Sequence, residues 1–314
     1  MPGNANFDSI ASTTLQNYRP VLQDNIFKRV PLLMWLEKKG RMMLDGGRTI
    51  VIPLTYTKNS TAQGYTGYGV LNTTPQEEQT AAEYVWAQYA ASISISGREE
   101  AQNAESKTRI VNLLKAKMEG AEKSLREKIN EDAFGSTLDS ENKVNGLQSL
   151  VDTTSTVGDI SRSTDAWWQA KVTTSVGSFA SGGVNAMRTL YLNASNAGSN
   201  TPDFAITTQS VFEYYEKSLQ TQQRFNDSKA ADGSFETLKF KNVTLFFDPF
   251  CPSGELYFLN SDALAFVTHS DRNFITTDFK KPVNQDAKVA QVFWMGNLAV
   301  EESRRLGKLT GITS

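Results

Sequence analysis

A chain of 314 residues with 32 Lys plus Arg against 34 Asp plus Glu has a net charge of −2, which argues against tight phosphate neutralisation and so against a protein that grips nucleic acid. That length holds one large or two ordinary domains, each with its own core. Cys251 is the one cysteine, which excludes an intrachain disulfide and a cysteine-built metal site and fits a reducing compartment.

In chain order, residues 1–18 form a polar arm without a period, showing neither a basic leader nor an apolar leader segment. No run of membrane-spanning length follows, so the expectation is a soluble protein without a membrane partner. Ile26, Val30, Leu33, Trp35 and Leu36 share a helical face; Pro31 suits a first helical position and Gly40 a helix stop. Gly46 and Gly47 mark a turn, and residues 49–57 are rich in β-branched side chains, with Pro53 pointing to an edge strand.

From Tyr56 to Ser96 about 40 residues pass with little core pattern, longer than structureless loops inside compact domains normally are. Tyr65, Tyr68, Tyr84, Trp86 and Tyr89 supply aromatic surface while Gly64, Gly67 and Gly69 punctuate an extended hairpin. The physical reading is an arm held against neighbouring molecules, with Tyr65, Gly67, Tyr68, Gly69, Tyr84 and Trp86 as the candidate assembly residues. Ile93 and Ile95 alternate with Ser92, Ser94 and Ser96, which predicts a returning strand.

Residues 99–134 then carry the longest amphipathic pattern. Ile110, Leu114, Met118, Ala121, Leu125 and Ile129 recur every three or four positions, a stripe for about 30 residues or about 45 Å of helix. Glu105 with Arg109, Glu119 with Lys123 and Glu122 with Arg126 sit four apart on its wet face. Residues 135–163 are polar and loop-rich, suited to a domain crossing. A mixed block follows: one or two helices over 166–193 broken at Gly182 and Gly183, a strand at 203–207, and a capping box from Ser210 and Glu213. Residues 238–247, 255–259 and 264–269 read as strands, and 287–311 as a closing hairpin or strand pair.

Chemistry-bearing motifs are missing. There is no nucleophile elbow, phosphate loop, dinucleotide fingerprint or paired-histidine motif. His269, Ser270 and Asp271 are adjacent, and three consecutive residues do not normally converge as base, nucleophile and orienter. Cys251 lies between Phe250 and Pro252, a setting that does not favour a thiolate. Trp167 and Trp168 lack a basic strip and read as core. Asn-x-Ser/Thr patterns such as those at Asn59, Asn72, Asn193 and Asn242 are chance products of composition. No catalytic residue, cofactor site or metal site is assigned, and the expectation is that the protein is not an enzyme.

The order of these elements resembles the major capsid proteins of tailed bacteriophages, the Hong Kong 97-type capsid fold. The likeness spans nearly the whole chain. It rests on Gly40-Arg41 followed by Gly46-Gly47-Arg48-Thr49-Ile50, on Tyr65 and Gly67, on Tyr257-Phe258-Leu259-Asn260, and on Pro282-Val283-Asn284-Gln285-Asp286-Ala287 before Gly307-Lys308-Leu309-Thr310-Gly311. The resemblance implies an α+β fold with an N-terminal arm and first helices at 1–48, an extended loop hairpin at 49–97, a peripheral domain with a long spine helix at 98–135 and 261–314, and an axial α/β domain at 136–260. It implies a shell protein that self-assembles through pentamers and hexamers into an icosahedral head around double-stranded DNA, with no cofactor and no strong DNA binding. Portal and scaffolding proteins, and in some relatives a decoration protein, are implied partners; the implied location is the virion, with assembly in the host cytoplasm. An encapsulin-type nanocompartment shell is the alternative. The fold pattern starts within about 20 residues of Met1, which in this family implies a separate scaffolding protein or a processed chain. Some relatives cross-link a loop lysine to a neighbour's asparagine; Lys58, near the loop base, is poorly placed for a partner such as Asn284.

Overall fold

The computed structural model describes residues 30–99, 113–195, 198, 200–219 and 238–314. The readings on residues 1–29, and on Glu105, Arg109 and Ile110, lie outside the described residues.

Helix α1 (Pro31–Lys39) begins at Pro31, where a missing N–H costs nothing, and buries Leu32, Leu33 and Leu36. Its amide cap comes from Gly40, which donates to the Leu36 carbonyl at 2.9 Å. Gly40 is there for space: its φ is −100°, and a Cβ would lie 2.9 Å from the Leu264 carbonyl oxygen. Strand β1 (Arg41–Leu44) follows, and Gly46 and Gly47 turn the chain at φ values of +136° and +114°, which side-chain-bearing residues rarely adopt.

Strands β2 (Ile50–Thr55) and β3 (Gln79–Tyr84) form an antiparallel two-stranded hairpin. Ile50, Ile52 and Leu54 point inward and alternate with exposed residues, as the period of two requires. Strand β4 (Ala87–Ser96) runs back into the body and contains the alternating residues Ser92 to Ser96. Helix α2 (Leu113–Ala133) packs on it, burying Leu125 and Ile129, with Met118 and Ala121 half-buried at the same face. Arg126 pairs with Glu122 at 3.1 Å on the wet side and also reaches Glu37 of α1 at 2.6 Å.

The short helix α3 (Leu147–Leu150), a two-residue pair β5 (Thr156–Val157) and β6 (Ile160–Ser161), and a 3-10 turn at Ala166–Trp168 make up the crossing. Then come β7 (Lys171–Thr173), β8 (Gly177–Ser178), a π-helical turn at Phe179–Gly183 and helix α4 (Val184–Ala194). Strand β9 (Phe204–Thr207) leads into helix α5 (Gln209–Leu219). The expected capping box is two residues out of register, because Ser210 already lies inside the helix. Thr208 supplies the cap, its Oγ1 accepting from the Val211 amide at 3.5 Å.

The remaining strands are β10 (Leu238–Phe240), β11 (Val243–Phe247), β12 (Leu256–Leu259), β13 (Leu264–Thr276), β14 (Ala287–Val300), β15 (Gly307–Leu309) and β16 (Ile312–Thr313). Two sheets organise all of them except β16, which pairs with β8. One is four-stranded in the order β1-β13-β14-β4, the other six-stranded in the order β10-β11-β9-β12-β15-β7. Residues 287–311 are therefore not a self-contained hairpin: β14 pairs with β13 and β4, whereas β15 enters the other sheet beside β12 and β7. The stretch 261–314, expected to belong to one unit, is divided among the four-stranded sheet, the six-stranded sheet and the β16–β8 pair.

The six-stranded sheet is covered on both faces. Phe204, Ile206, Tyr257 and Leu259 join the larger core with α1, the hairpin root and α2, while Ala205, Leu256 and Phe258 join a second core under α4 and α5. Strands buried on both faces read as continuous apolar runs, and β9 and β12 do.

Candidate assembly surface

The hairpin pairs from Ile50 with Tyr84 out to Thr55 with Gln79, and the Tyr56 amide adds one more bond to the Glu78 carbonyl at 3.1 Å. Beyond it, residues 57–78 leave the body. Tyr68 is 105% exposed, Val70 93% and Tyr65 68%, with Leu71 half-exposed. No residue from Asn59 through Gln76 carries a charge. Apolar and aromatic groups this open to water are the composition of a contact surface.

The loop orders itself. Asn59 Oδ1 accepts from the amide and hydroxyl of Thr61 at 2.8 and 2.5 Å, and Asn72 Oδ1 does the same for Thr74 at 3.0 and 2.7 Å. These two side-chain-closed turns sit on opposite legs. Ser60 bridges the legs by donating to Gln76 Oε1 at 2.6 Å, Gln63 Nε2 reaches the Val70 carbonyl at 3.2 Å, and the Gly69 amide closes on the Thr66 carbonyl at 2.7 Å. An extended segment held in one shape before it meets a partner loses less entropy on binding.

Of the six residues singled out from sequence, Tyr65, Gly67, Tyr68 and Gly69 lie together on this exposed loop. Tyr84 and Trp86 do not. Tyr84 is fully buried and Trp86 is 5% exposed, both inside the core at the hairpin root, so neither side chain can meet a neighbour. The cause is polar as well as apolar: Trp86 Nε1 donates to the Gly47 carbonyl at 3.1 Å, and the Tyr84 hydroxyl is bonded within the body. Tyr89 is buried too, donating to Asp132 Oδ2 of α2 at 2.9 Å. Val70 and Leu71 are exposed on the same loop but were not singled out from sequence; their position between the two Asn-x-Thr turns is the signal that places them there.

The chemistry-bearing residues stay apart. His269 Nδ1 accepts the Asp271 amide at 3.1 Å and the ring meets Trp86 edge-on, which leaves no base poised over a nucleophile. The Cys251 thiol is pushed well above its usual range by burial, and further by Glu255 and Asp248. Trp168 is core, its Nε1 donating to the Val157 carbonyl at 2.9 Å, whereas Trp167 is half-buried. Among the described residues no three His, Cys, Asp or Glu side chains are grouped for a metal ion, and no helix is long and apolar enough to cross a membrane.

The fold recurs in solved shells. The capsid protein of cyanophage A-1(L) is 14% identical with a TM-score of 0.63, covering 96% of this chain and 98% of its own. A chain of Mycobacterium phage Adephagia is 13% identical with a TM-score of 0.59, covering 99% of each chain. The SrpI encapsulin of Synechococcus elongatus PCC 7942 is 12% identical with a TM-score of 0.59, covering 93% of this chain and 96% of that one. At these identities the likeness is one of fold. No curated protein matches the sequence. The SU10 major capsid protein family model matches residues 72–313, more than three-quarters of the chain, from the exposed loop to the last strand. The chain therefore belongs to the SU10 major capsid protein family.

Proposed function

We propose that this major capsid protein builds a closed icosahedral shell of pentamers and hexamers around the double-stranded DNA of a tailed phage, with residues 57–78 lying across a neighbouring subunit. The observation that carries this is the loop itself: uncharged, aromatic, fully exposed and already ordered by its own hydrogen bonds. An arm of that kind buries its side chains only against another molecule, and obligate shells bury on the order of several thousand Å² per subunit. Its role is structural rather than catalytic. The net charge of −2 supports an inner wall that lets DNA slide, with free-subunit affinity no tighter than about micromolar at physiological salt. Scaffolding, portal and decoration proteins are the partners such a shell would take, and the host cytoplasm is where it would assemble.

Replacing residues 60–76 with a short turn tests the reading. Subunits should stay folded, since the hairpin pairing ends at Thr55 and Gln79, yet sedimentation and electron microscopy should show no closed particles. Normal shells from that variant would refute the interface role of the loop. A nanocompartment is the second reading, favoured by the encapsulin likeness. Nuclease-protected DNA in purified particles supports the phage head, and protein cargo supports the compartment.

A further inference from the structure

A cleft of about 480 Å³ opens beside the hairpin root, lined by β2 and Tyr56, by Trp167, and by the segment that follows β14. Its aromatic wall is made by Tyr56 and Trp167, whose rings lie 5.7 Å apart and tilted by 37°. Among the described residues strand β2 pairs with β3 alone, so its second edge has no partner strand among them.

The charges of the cleft do not balance. Glu302 pairs with both Arg304 and Arg305, the second at 2.6 Å. Asp262 and Glu301 also line the cleft and have no ion-pair partner among the described residues. Among the described lining residues, three carboxylates face two guanidinium groups, an excess of one negative charge. Burial raises the Glu301 carboxyl above its usual range and the nearby Asp262 charge raises it further, as expected where two acids face each other without a cation.

A cation would relieve that repulsion, and the aromatic wall selects which one. Ring faces attract cations, and a planar, weakly hydrated guanidinium stacks on them better than an ammonium or a hydrated metal ion does. The cleft begins at Tyr56, the residue from which the exposed loop departs, so it adjoins the surface proposed to meet a neighbour. We propose that this cleft receives an arginine side chain from a second copy of the chain, stacked on Tyr56 and Trp167 and paired with Asp262 and Glu301. The proposal rests on the shell reading above.

An electron cryomicroscopy map of assembled full-length shells reads the cleft directly. The expected result is a neighbouring subunit's arginine between the two rings and the two carboxylates. A cleft filled by the chain's own residues, by a metal ion or by solvent overturns the proposal. Asp262→Asn with Glu301→Gln should raise the protein concentration needed for assembly by about tenfold without lowering the unfolding temperature of free subunits, because it removes a repulsion from the subunit and an ion pair from the contact. Trp167→Leu should act in the same direction and Trp167→Phe much less. Assembly of the double variant at the unmodified concentration also overturns it. The two readings fail separately: shells that close without residues 60–76 refute the loop arm, whereas shells that need the loop but hold no arginine in the cleft refute only this inference.

Discussion

The Tyr84 hydroxyl donates to the Val300 carbonyl at 2.9 Å and accepts from the Val300 amide at 3.1 Å, so one phenol occupies both backbone groups of a residue 216 positions away. It ties the last residue of β3 to the last residue of β14, joining the root of the projecting hairpin to the four-stranded sheet. Tyr84→Phe removes one oxygen and leaves both Val300 groups buried without that partner. It should cost about 1–3 kcal/mol in denaturant unfolding of the subunit, with the secondary structure retained by circular dichroism.

Arg162 is buried and has no ion-pair partner among the described residues. Its guanidinium instead donates to the carbonyls of Trp168 at 2.9 Å, Ser149 at 3.0 Å and Leu150 at 2.8 Å, and to Ser303 Oγ. Burial pushes its pKa down to about 10, against the raising influence of Tyr84 and Asp152. Four donors in a fixed fork gather two carbonyls of α3, one of the 3-10 turn at Trp168 and the segment before β15. Arg162→Ala should destabilise the subunit by at least about 3 kcal/mol, and Arg162→Lys should rescue little because an ammonium cannot reproduce the fork. Thermal unfolding of both variants checks it.

Asp152 reports on acid. Burial raises its carboxyl, but bonds from the Thr153, Thr154 and Ser155 backbone and hydroxyl groups outweigh that and hold it at about 2. A depressed acid stabilises the fold above its ordinary value of 3.8, and the contribution is lost as pH falls from there toward 2. Asp152→Asn should therefore flatten the dependence of subunit stability on pH across that window, and an unchanged slope would contradict the assignment.

Tyr68 makes the opposite case, since its side chain is wholly exposed. Tyr68→Ser should leave subunit stability within about 0.5 kcal/mol. Shell assembly should nonetheless need at least tenfold more protein, as loss of about 2 kcal/mol at an aromatic anchor implies. Light scattering against concentration gives the answer.

Lys58 sits at the foot of the loop, one leg below the Asn59 turn. Shells held by non-covalent contacts should give one band at the 34.7 kDa chain mass after boiling in denaturant. A ladder at multiples of that mass would reveal cross-linking.

Local patterns made much of this architecture readable before any coordinates. The alternation of Ile50, Ile52 and Leu54, the three-and-four spacing that ends at Ile129, and the uncharged run around Tyr68 are all signals within one element. Tyr84 and Trp86 misled for the same reason: an aromatic residue beside an exposed loop looks like contact surface until its distant partners, Val300 and Gly47, are known. Arg162 gave no signal, because four unrelated backbone and hydroxyl acceptors share no sequence pattern. Thr208 lost to Ser210 because only Ser210 has a glutamate three residues on, whereas Thr208 caps the Val211 amide without that signature.

Strand β15 lies inside the six-stranded sheet, hydrogen-bonded to β12 on one side and β7 on the other, although it comes from the last eight residues of the chain. While those residues are still within a translating ribosome, β7 cannot join the sheet and β12 has an open edge, the kind of surface that invites aggregation. The fold thus contains a built-in check: a chain that stops before Gly307 lacks the strand that joins β7 to β12, and only a chain that carries it can close the six-stranded sheet.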